Sequence, residues 1–88
     1  MAAYELKVAA AADRVLARIP EFAAAAIVEL ITGPLLENPL RLSKELEQDL
    51  AGYRVAKRGP YRVVFRIEHD AIIRVTRIDH RADVYRTR

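Results

Sequence analysis

The sequence predicts an α+β fold in which a helical hairpin packs on a small antiparallel sheet, in the order β-α-α-β-β-β. In the first half of the 88-residue chain, apolar residues recur at helical spacing. In the second half, apolar and charged residues alternate, and short turns separate the alternating segments. Such strands follow one another as an antiparallel meander. The length leaves room for one domain, 1–88.

The first half of the chain predicts one short strand and two amphipathic helices. Residues 4–8 alternate as in a strand, and residues 9–19 carry an apolar stripe at helical spacing. Pro20 begins a second helix, because the first helical position needs no amide hydrogen, and Gly33 ends it. The apolar faces of these helices need a sheet to cover them.

The second half predicts three strands. They span residues 53–57, 61–67 and 71–78, with turns at 58–60 and 69–70 between them. A polar, irregular stretch at 40–50 precedes them, and one helical turn is expected near 82–85. The middle strand places four apolar side chains on one face: Tyr61, Val63, Phe65 and Ile67. Arg62 and Arg66, and by expectation Arg54, then lie on the opposite face, away from the helices.

The charge distribution indicates a polyanionic target. The net charge is +3, but residues 1–52 carry five basic and eight acidic side chains. Residues 53–88 carry ten basic and four acidic ones, and nine of the ten bases are arginine, whose planar fork of donors matches phosphate. A solvated basic surface is the alternative interpretation of the same composition.

Composition also excludes several classes of site. The chain has no cysteine, which rules out disulfides, thiolate metal sites and a thiol nucleophile and fits a reducing cytoplasm. The two histidines lie eleven positions apart and form no recognised metal-ligand spacing, so no metal is expected. The start of the chain lacks the pattern of a secretory signal, and no apolar stretch is long enough to span a membrane.

The basic half contains the residue types that RNA cleavage without a metal requires. The 2′-hydroxyl must lose a proton, charge on the phosphate must be stabilised, and the leaving 5′-oxygen must gain a proton. Arg62 and Arg81 are candidate phosphate clamps, and Tyr85 and His80 are further candidates. Lys57 and Arg58 are a basic pair near them in sequence.

Each of these residues also has a structural interpretation. Arg62 could pair with Glu68 on the sheet surface, and Tyr85 could pack against the sheet edge. His80 could cap a helix or lie on the surface, and the Lys57-Arg58 pair could be a solvated turn.

Several segments together resemble a known family. They are 38–46 (Asn-Pro-Leu-Arg-Leu-Ser-Lys-Glu-Leu), 50–55 (Leu-Ala-Gly-Tyr-Arg-Val), 58–67 (Arg-Gly-Pro-Tyr-Arg-Val-Val-Phe-Arg-Ile) and 77–85 (Arg-Ile-Asp-His-Arg-Ala-Asp-Val-Tyr). The combination resembles the RelE/ParE superfamily of bacterial toxins, and its RelE branch in particular. The resemblance covers nearly the whole chain, since the preceding helical hairpin is also part of the family pattern.

The resemblance implies the β-α-α-β-β-β fold and ribosome-dependent cleavage of messenger RNA in the decoding site, without a cofactor. It implies that Arg62 holds the scissile phosphate, that Arg81 stabilises charge and that Tyr85 positions or activates the nucleophile. Arg54 stands where RelE proteins often carry a lysine, and Ala56 where some have a second one. The proton-transfer group is therefore left open among three residues: Lys57, Arg58 and His80.

Partners and alternatives follow from the same resemblance. An acidic, RelB-like antitoxin is expected to neutralise the cationic face, and the toxin–antitoxin complex is expected to bind operator DNA through the antitoxin. The residues expected to bind RNA are Arg54, Lys57, Arg58 and Arg66.

Two other functions remain open on this scaffold. One is a ParE-like gyrase poison, and the other is a catalytically weak module that only binds RNA or antitoxin.

Overall fold

The structure is a computed structural model that describes the backbone of residues 4–84 and the side chains of residues 4–82. The helices are α1 (Ala10–Arg18), α2 (Glu21–Thr32), α3 (Pro34–Glu37) and α4 (Arg81–Val84). The strands are β1 (Glu5–Val8), β2 (Lys44–Glu45), β3 (Arg54–Arg58), β4 (Tyr61–Glu68) and β5 (Ile72–His80), and a 3-10 turn spans Gln48–Leu50. No helix in this part of the chain is both long and apolar enough to cross a membrane.

All five strands form one sheet in the order β1-β5-β4-β3-β2. Strands β3, β4 and β5 form the antiparallel meander that the sequence predicts. Two features differ from the prediction. Strand β1 pairs with β5 in parallel, so the sheet is mixed, and β2 forms inside the stretch expected to be irregular. Alternation carries no information on strand direction, and a two-residue strand is too short to show a period.

One face of the sheet packs on the helices and forms the core. Phe65 is fully buried there, together with Val63, Val75 and Ile78 from the sheet and Ile27 from α2. The amphipathic helices thus bury their apolar stripes against the inner face, as the predicted fold class requires. That fold class is confirmed, and the opposite face of the sheet carries no helix layer in the described part of the chain.

A β-bulge in β5 determines which side chains reach that uncovered face. Val64 pairs with Arg77 and Phe65 pairs with Val75, so Thr76 is an extra residue on β5. The Thr76 hydroxyl donates a hydrogen bond to the Val64 carbonyl oxygen at 3.2 Å, across the bulge. Beyond the bulge the alternation of β5 is inverted. As a result, Ile78 is buried against the helices, whereas Arg77 faces outward.

Candidate active site on the open face of the sheet

The face of the sheet away from the helices, called the open face below, carries a row of three charged residues. Lys57 on β3 pairs with Arg62 on β4, and Arg62 pairs with Asp79 on β5. Side chains of directly paired residues lie on the same face with their Cβ atoms about 5 Å apart. Two cations and one carboxylate therefore lie side by side across the centre of the sheet.

A second row lies beside the first, two residues along each strand. It consists of Lys44, Val55, Val64 and Arg77. Arg77 forms an ion pair with Asp79 of the first row, with Nη2 and Oδ2 2.7 Å apart. A cleft of about 310 Å³ lies over the two rows. Its lining residues are Leu46, Leu50, Val55, Arg62, Val64, Arg77 and Asp79.

Arg62 is the part of this cleft best suited to bind an anion. Among the residues whose side chains are described, none forms a hydrogen bond or ion pair with its guanidinium group. The alternative pairing with Glu68 is not formed, because Glu68 binds Arg66 and Arg74 instead. All five N–H donors of Arg62 are thus free for a ligand from outside this part of the chain.

Arg66 shares the open face with Arg62 but is engaged in a network. Its Nε donates to Glu68 at 2.7 Å and its Nη1 donates to the Tyr53 hydroxyl at 3.0 Å. Arg74 donates to the same Glu68 oxygen at 2.8 Å. The hydrogen bond to Glu68 raises the pKa of Arg66, with a smaller contribution from Tyr53. The hydrogen bonds from Arg74 and then Arg66 lower the pKa of Glu68 below its ordinary range. The network keeps a net positive charge, since two cations share one carboxylate.

This network predicts a pH-dependent contribution to stability. Since the pKa of Glu68 is lower in the folded state than its ordinary value of 4.5, the unfolded chain takes up the proton first as the pH falls. Glu68→Gln should therefore be less stable than the parent at neutral pH, and the difference should shrink progressively below about pH 4.5. Urea unfolding of both proteins across this range measures the difference. A difference in the free energy of unfolding that stays constant with pH would contradict this role of Glu68. The exposed Glu47→Gln is the matched control.

Arg54 lies on the helix side of the sheet, so its expected position on the open face is wrong. It pairs with Phe65, the residue at the centre of the core. Its Nε donates to the Ser43 hydroxyl at 2.7 Å, and its Nη2 donates to the backbone oxygens of Ser43 and Leu40 at 3.2 and 3.4 Å. Arg54 therefore ties the loop before β2 to the sheet, and its hydrogen-bonding capacity is largely used.

Removal of this anchor is expected to cost stability rather than chemistry. Hydrogen bonds from a charged group contribute about 1.5–3 kcal/mol, so Arg54→Ala should lower the free energy of unfolding by about that amount. Arg54→Lys keeps the charge but loses the planar fork, and should recover only part of it. Chemical denaturation measures both. Loss of function in a variant that is as stable as the parent would indicate instead that Arg54 contacts a ligand.

Arg58 and His80 also lie on the helix side. Arg58 pairs with Tyr61 and forms an ion pair with Glu29 of α2 at 3.6 Å. His80 pairs with Tyr61 from the other side, and the two rings pack edge to face with their centroids 5.2 Å apart. Nδ1 of His80 accepts a hydrogen bond from the Ala82 amide at 3.1 Å, at the start of α4. The contacts of His80 match its interpretation as a capping residue, whereas Arg58 is the last residue of β3 and is paired with Glu29 instead of lying in a solvated turn.

Of the candidate residues, the structure brings Lys57, Arg62 and Arg66 together on the open face. Arg81 is exposed at the first position of α4, where its amide donates to the Pro60 carbonyl oxygen at 2.7 Å. The β5–α4 junction is thus held against the β3–β4 turn. Tyr85 lies outside the described residues, and its role stays a prediction.

Sequence reasoning missed three charged residues of the two rows on the open face: Lys44, Arg77 and Asp79. The signal for the last two is the spacing of buried residues in β5, where Ile73 and Val75 are two apart but Val75 and Ile78 are three apart. A break of this kind in a strand pattern indicates a bulge. Within the described residues, no group of three or more acidic or histidine side chains is close enough to hold a metal ion.

Comparison with known proteins identifies the family. A family model described as the ParE toxin of type II toxin–antitoxin system, parDE, matches residues 6–85. The chain belongs to the RelE/ParE family of type II toxins. Toxin RelG of Mycobacterium tuberculosis is 42% identical to this toxin over 85 residues, which cover 94% of this chain and 97% of RelG. Toxin RelE of the same organism is 52% identical over 65 residues, which cover 74% of this chain and 67% of that RelE.

Solved structures of such toxins share the fold. The toxin resembles a chain of the RelBE2 toxin–antitoxin complex of Mycobacterium tuberculosis with a TM-score of 0.85 and 36% identity, covering 90% of this chain and 99% of that one. The archaeal RelE–RelB complex of Pyrococcus horikoshii gives a TM-score of 0.64 at 21% identity, with 91% and 97% covered, and supports the fold alone. The family predicted from the sequence motifs is confirmed.

Proposed function

We propose that this toxin is an endoribonuclease that cuts messenger RNA in the decoding site of the ribosome, without a cofactor. The observation that carries the proposal is the row formed by Lys57 and Arg62 on the open face. It combines a guanidinium group without a partner in the described part of the chain and an exposed ammonium group beside it. The two provide phosphate binding and a proton donor at one place.

The reaction uses the row as follows. The 2′-hydroxyl of one nucleotide gives its proton to a water molecule and its oxygen forms a bond to the neighbouring phosphorus, while the bond from phosphorus to the 5′-oxygen breaks. Arg62 and Arg81 stabilise the charge on the phosphate oxygens. Lys57 gives its proton to the leaving 5′-oxygen, and the products are a 2′,3′-cyclic phosphate and a 5′-hydroxyl end. Tyr85 acts on the 2′-hydroxyl, as the resemblance to RelE proteins implies.

Lys57 is favoured over the two other candidate proton-transfer residues by its position. Arg58 and His80 lie on the helix side of the sheet and are engaged by Glu29 and Tyr61. Arginine is also a poor proton donor, because its guanidinium group holds its proton too tightly to release it. Lys57 lies on the same face as Arg62 and directly beside it.

The charge of the open face supports a polyanionic substrate. Its paired strand residues include seven basic side chains and three acidic ones, Glu5, Glu68 and Asp79. A face of this kind concentrates RNA, while the ribosome is proposed to set the geometry of the scissile bond. The high identity to toxins named RelE and RelG favours RNA cleavage over other activities of the family.

The same face is proposed to bind the antitoxin. Relatives of this toxin crystallise as complexes with RelB-type antitoxins. We infer that an acidic, RelB-like segment covers the Lys57–Arg62 row and folds as it binds, which blocks access to RNA. The toxin–antitoxin complex then binds operator DNA through the antitoxin.

A reconstituted translation reaction with a defined messenger RNA tests the proposal. Primer extension should show new 5′ ends at the codon in the decoding site, and only while ribosomes translate. Arg14→Ala, which removes an exposed arginine from the helix layer, should cut as the parent does. Messenger RNA that stays intact under these conditions would overturn the proposal.

A gyrase poison is the second candidate, because the matching family model is described as a ParE toxin. In that case the toxin should leave messenger RNA intact and convert supercoiled plasmid into linear DNA in the presence of gyrase. If neither RNA nor DNA is cut but RNA or antitoxin is bound, the chain is the binding module that the sequence left open.

A further inference from the structure

The cleft beside Arg62 has an apolar interior that phosphate binding does not require. Val55 and Val64 form its floor, and Leu46 and Leu50 form the wall on the side of the 3-10 turn. Leu50 is 41% exposed, so the wall is open to solvent. Covering exposed apolar surface with an apolar ligand is favourable, and a nucleobase has two apolar faces. The apolar surface in this cleft lies next to the basic row.

The size and position of the cleft fit one base. Its volume of about 310 Å³ is at the lower end of the range of about 300–1,000 Å³ for small-ligand pockets. Arg62 and Val64 lie two residues apart on the same strand face, about 7 Å along β4. A nucleotide whose phosphate binds Arg62 can therefore place its base over Val64 and between the strands and Leu50.

The rim of the cleft adds hydrogen-bonding groups that distinguish between bases. The carboxylate of Asp79 is 22% exposed and forms an ion pair with Arg77 through one of its oxygens. A carboxylate has about four acceptor sites, so Asp79 can accept further donors. Guanine is the RNA base with two adjacent donors, N1–H and the 2-amino group, on its Watson–Crick edge, and Arg77 can donate to the neighbouring O6.

The charge of Asp79 supports this assignment. A carboxylate next to a phosphate-binding arginine repels RNA, and its ion pair with Arg77 removes only part of that repulsion. A selective contact with the base offsets the repulsion for guanine and leaves it in place for the other bases.

We propose that the cleft lined by Val55, Val64, Leu46 and Leu50 binds one unstacked base of the messenger RNA next to the scissile phosphate, and that Asp79 selects guanine at this position. The inference rests on the proposed RNA cleavage. It adds a determinant of sequence specificity contributed by the toxin itself.

The test is a cut-site profile. The toxin acts on translating ribosomes with a pool of messenger RNAs that carry each of the four bases on either side of the expected cut, and sequencing of 5′ ends measures the preference. We expect the parent toxin to favour guanine at one of these positions by about tenfold or more. Asp79→Asn should reduce that preference to about twofold or less, because the amide offers one acceptor instead of two.

Two further variants separate the cleft from general effects. Val55→Phe fills the floor and should lower cleavage at guanine sites at least tenfold, with thermal unfolding used to verify that the variant is folded. Asp70→Asn removes an acid from the β4–β5 turn, outside the cleft, and should keep the profile of the parent. Asp70 has a φ of 66°, which asparagine tolerates.

The outcomes are distinguishable. If the parent and Asp79→Asn cut with the same base preference, the inference is overturned and RNA cleavage stands. If the parent does not cut RNA on ribosomes, both the proposed function and this inference fail. If folded Val55→Phe keeps the parent's profile but loses affinity for antitoxin, the cleft is an antitoxin site and not a base site, which also overturns the inference.

Discussion

Cleavage of messenger RNA by Lys57→Met is expected to be slower than cleavage by the parent toxin by a factor of about 10²–10⁴, the usual contribution of one positioned proton-transfer group. Methionine keeps most of the length of the side chain and removes only the ammonium. Lys57 is exposed and lies on β3 beside Arg62, so the fold should tolerate the change. Primer extension under single-turnover conditions on translating ribosomes measures the rate.

The leaving group supplies the control for this prediction. A messenger RNA with sulfur in place of the 5′-oxygen at the cut site needs no proton on its leaving group, so Lys57→Met should cut it nearly as fast as the parent. Lys57→Arg keeps the positive charge but holds its proton too tightly to donate it, and should stay slow on the normal substrate. Equal defects on both substrates would show that Lys57 contributes charge or position, not a proton.

The elements of the fold were predictable because their signals are local. The period of apolar residues in 9–19 predicts α1, and the alternation in 61–67 predicts β4. Proline and glycine marked the boundaries, as Pro20 and Gly33 do at the two ends of α2. Each of these signals involves residues that lie close together in the sequence, so the sequence alone is sufficient to predict these elements.

The composition of the site was predictable only in part, because it depends on pairing between strands. Arg62 follows from alternation within β4, but Asp79 and Arg77 reach its side only through the bulge at Thr76. Without that extra residue, regular pairing from Phe65 and Val75 would set Ile78 opposite Arg62, and Asp79 would face the helices. A single inserted residue thus places a carboxylate beside Arg62 in place of an isoleucine.

Arg54 shows a second limit of sequence reasoning. Its expected place on the open face was wrong because the register with β4 sets it opposite Phe65, on the core side. There it binds the loop around Ser43, which shows neither a helical nor a strand period in the sequence. A lysine would be less suitable at this position, because three hydrogen bonds to one loop require the arginine fork.

Arg62→Ala is expected to lower the rate of messenger RNA cleavage by about 10²–10³, the usual cost of removing one preorganised group that stabilises charge in the transition state. Because no described residue forms an ion pair or hydrogen bond with the guanidinium, its removal leaves no partner unsatisfied, and the free energy of unfolding should change by less than about 1 kcal/mol. The prediction therefore separates activity from stability. Growth arrest on expression and single-turnover cleavage measure activity, and chemical denaturation measures stability.

The comparison of Arg62→Ala with Arg62→Lys decides how Arg62 acts. Lysine restores the charge but binds phosphate as a point charge, so its rate should lie between those of the parent and the alanine variant. Arg54→Ala should show the reverse pattern, with lower stability and retained cleavage, because its donors are used by the Ser43 loop. If Arg62→Ala cut RNA at the parental rate while folded, the cationic row would have no part in the reaction. Antitoxin binding would then remain its only proposed role.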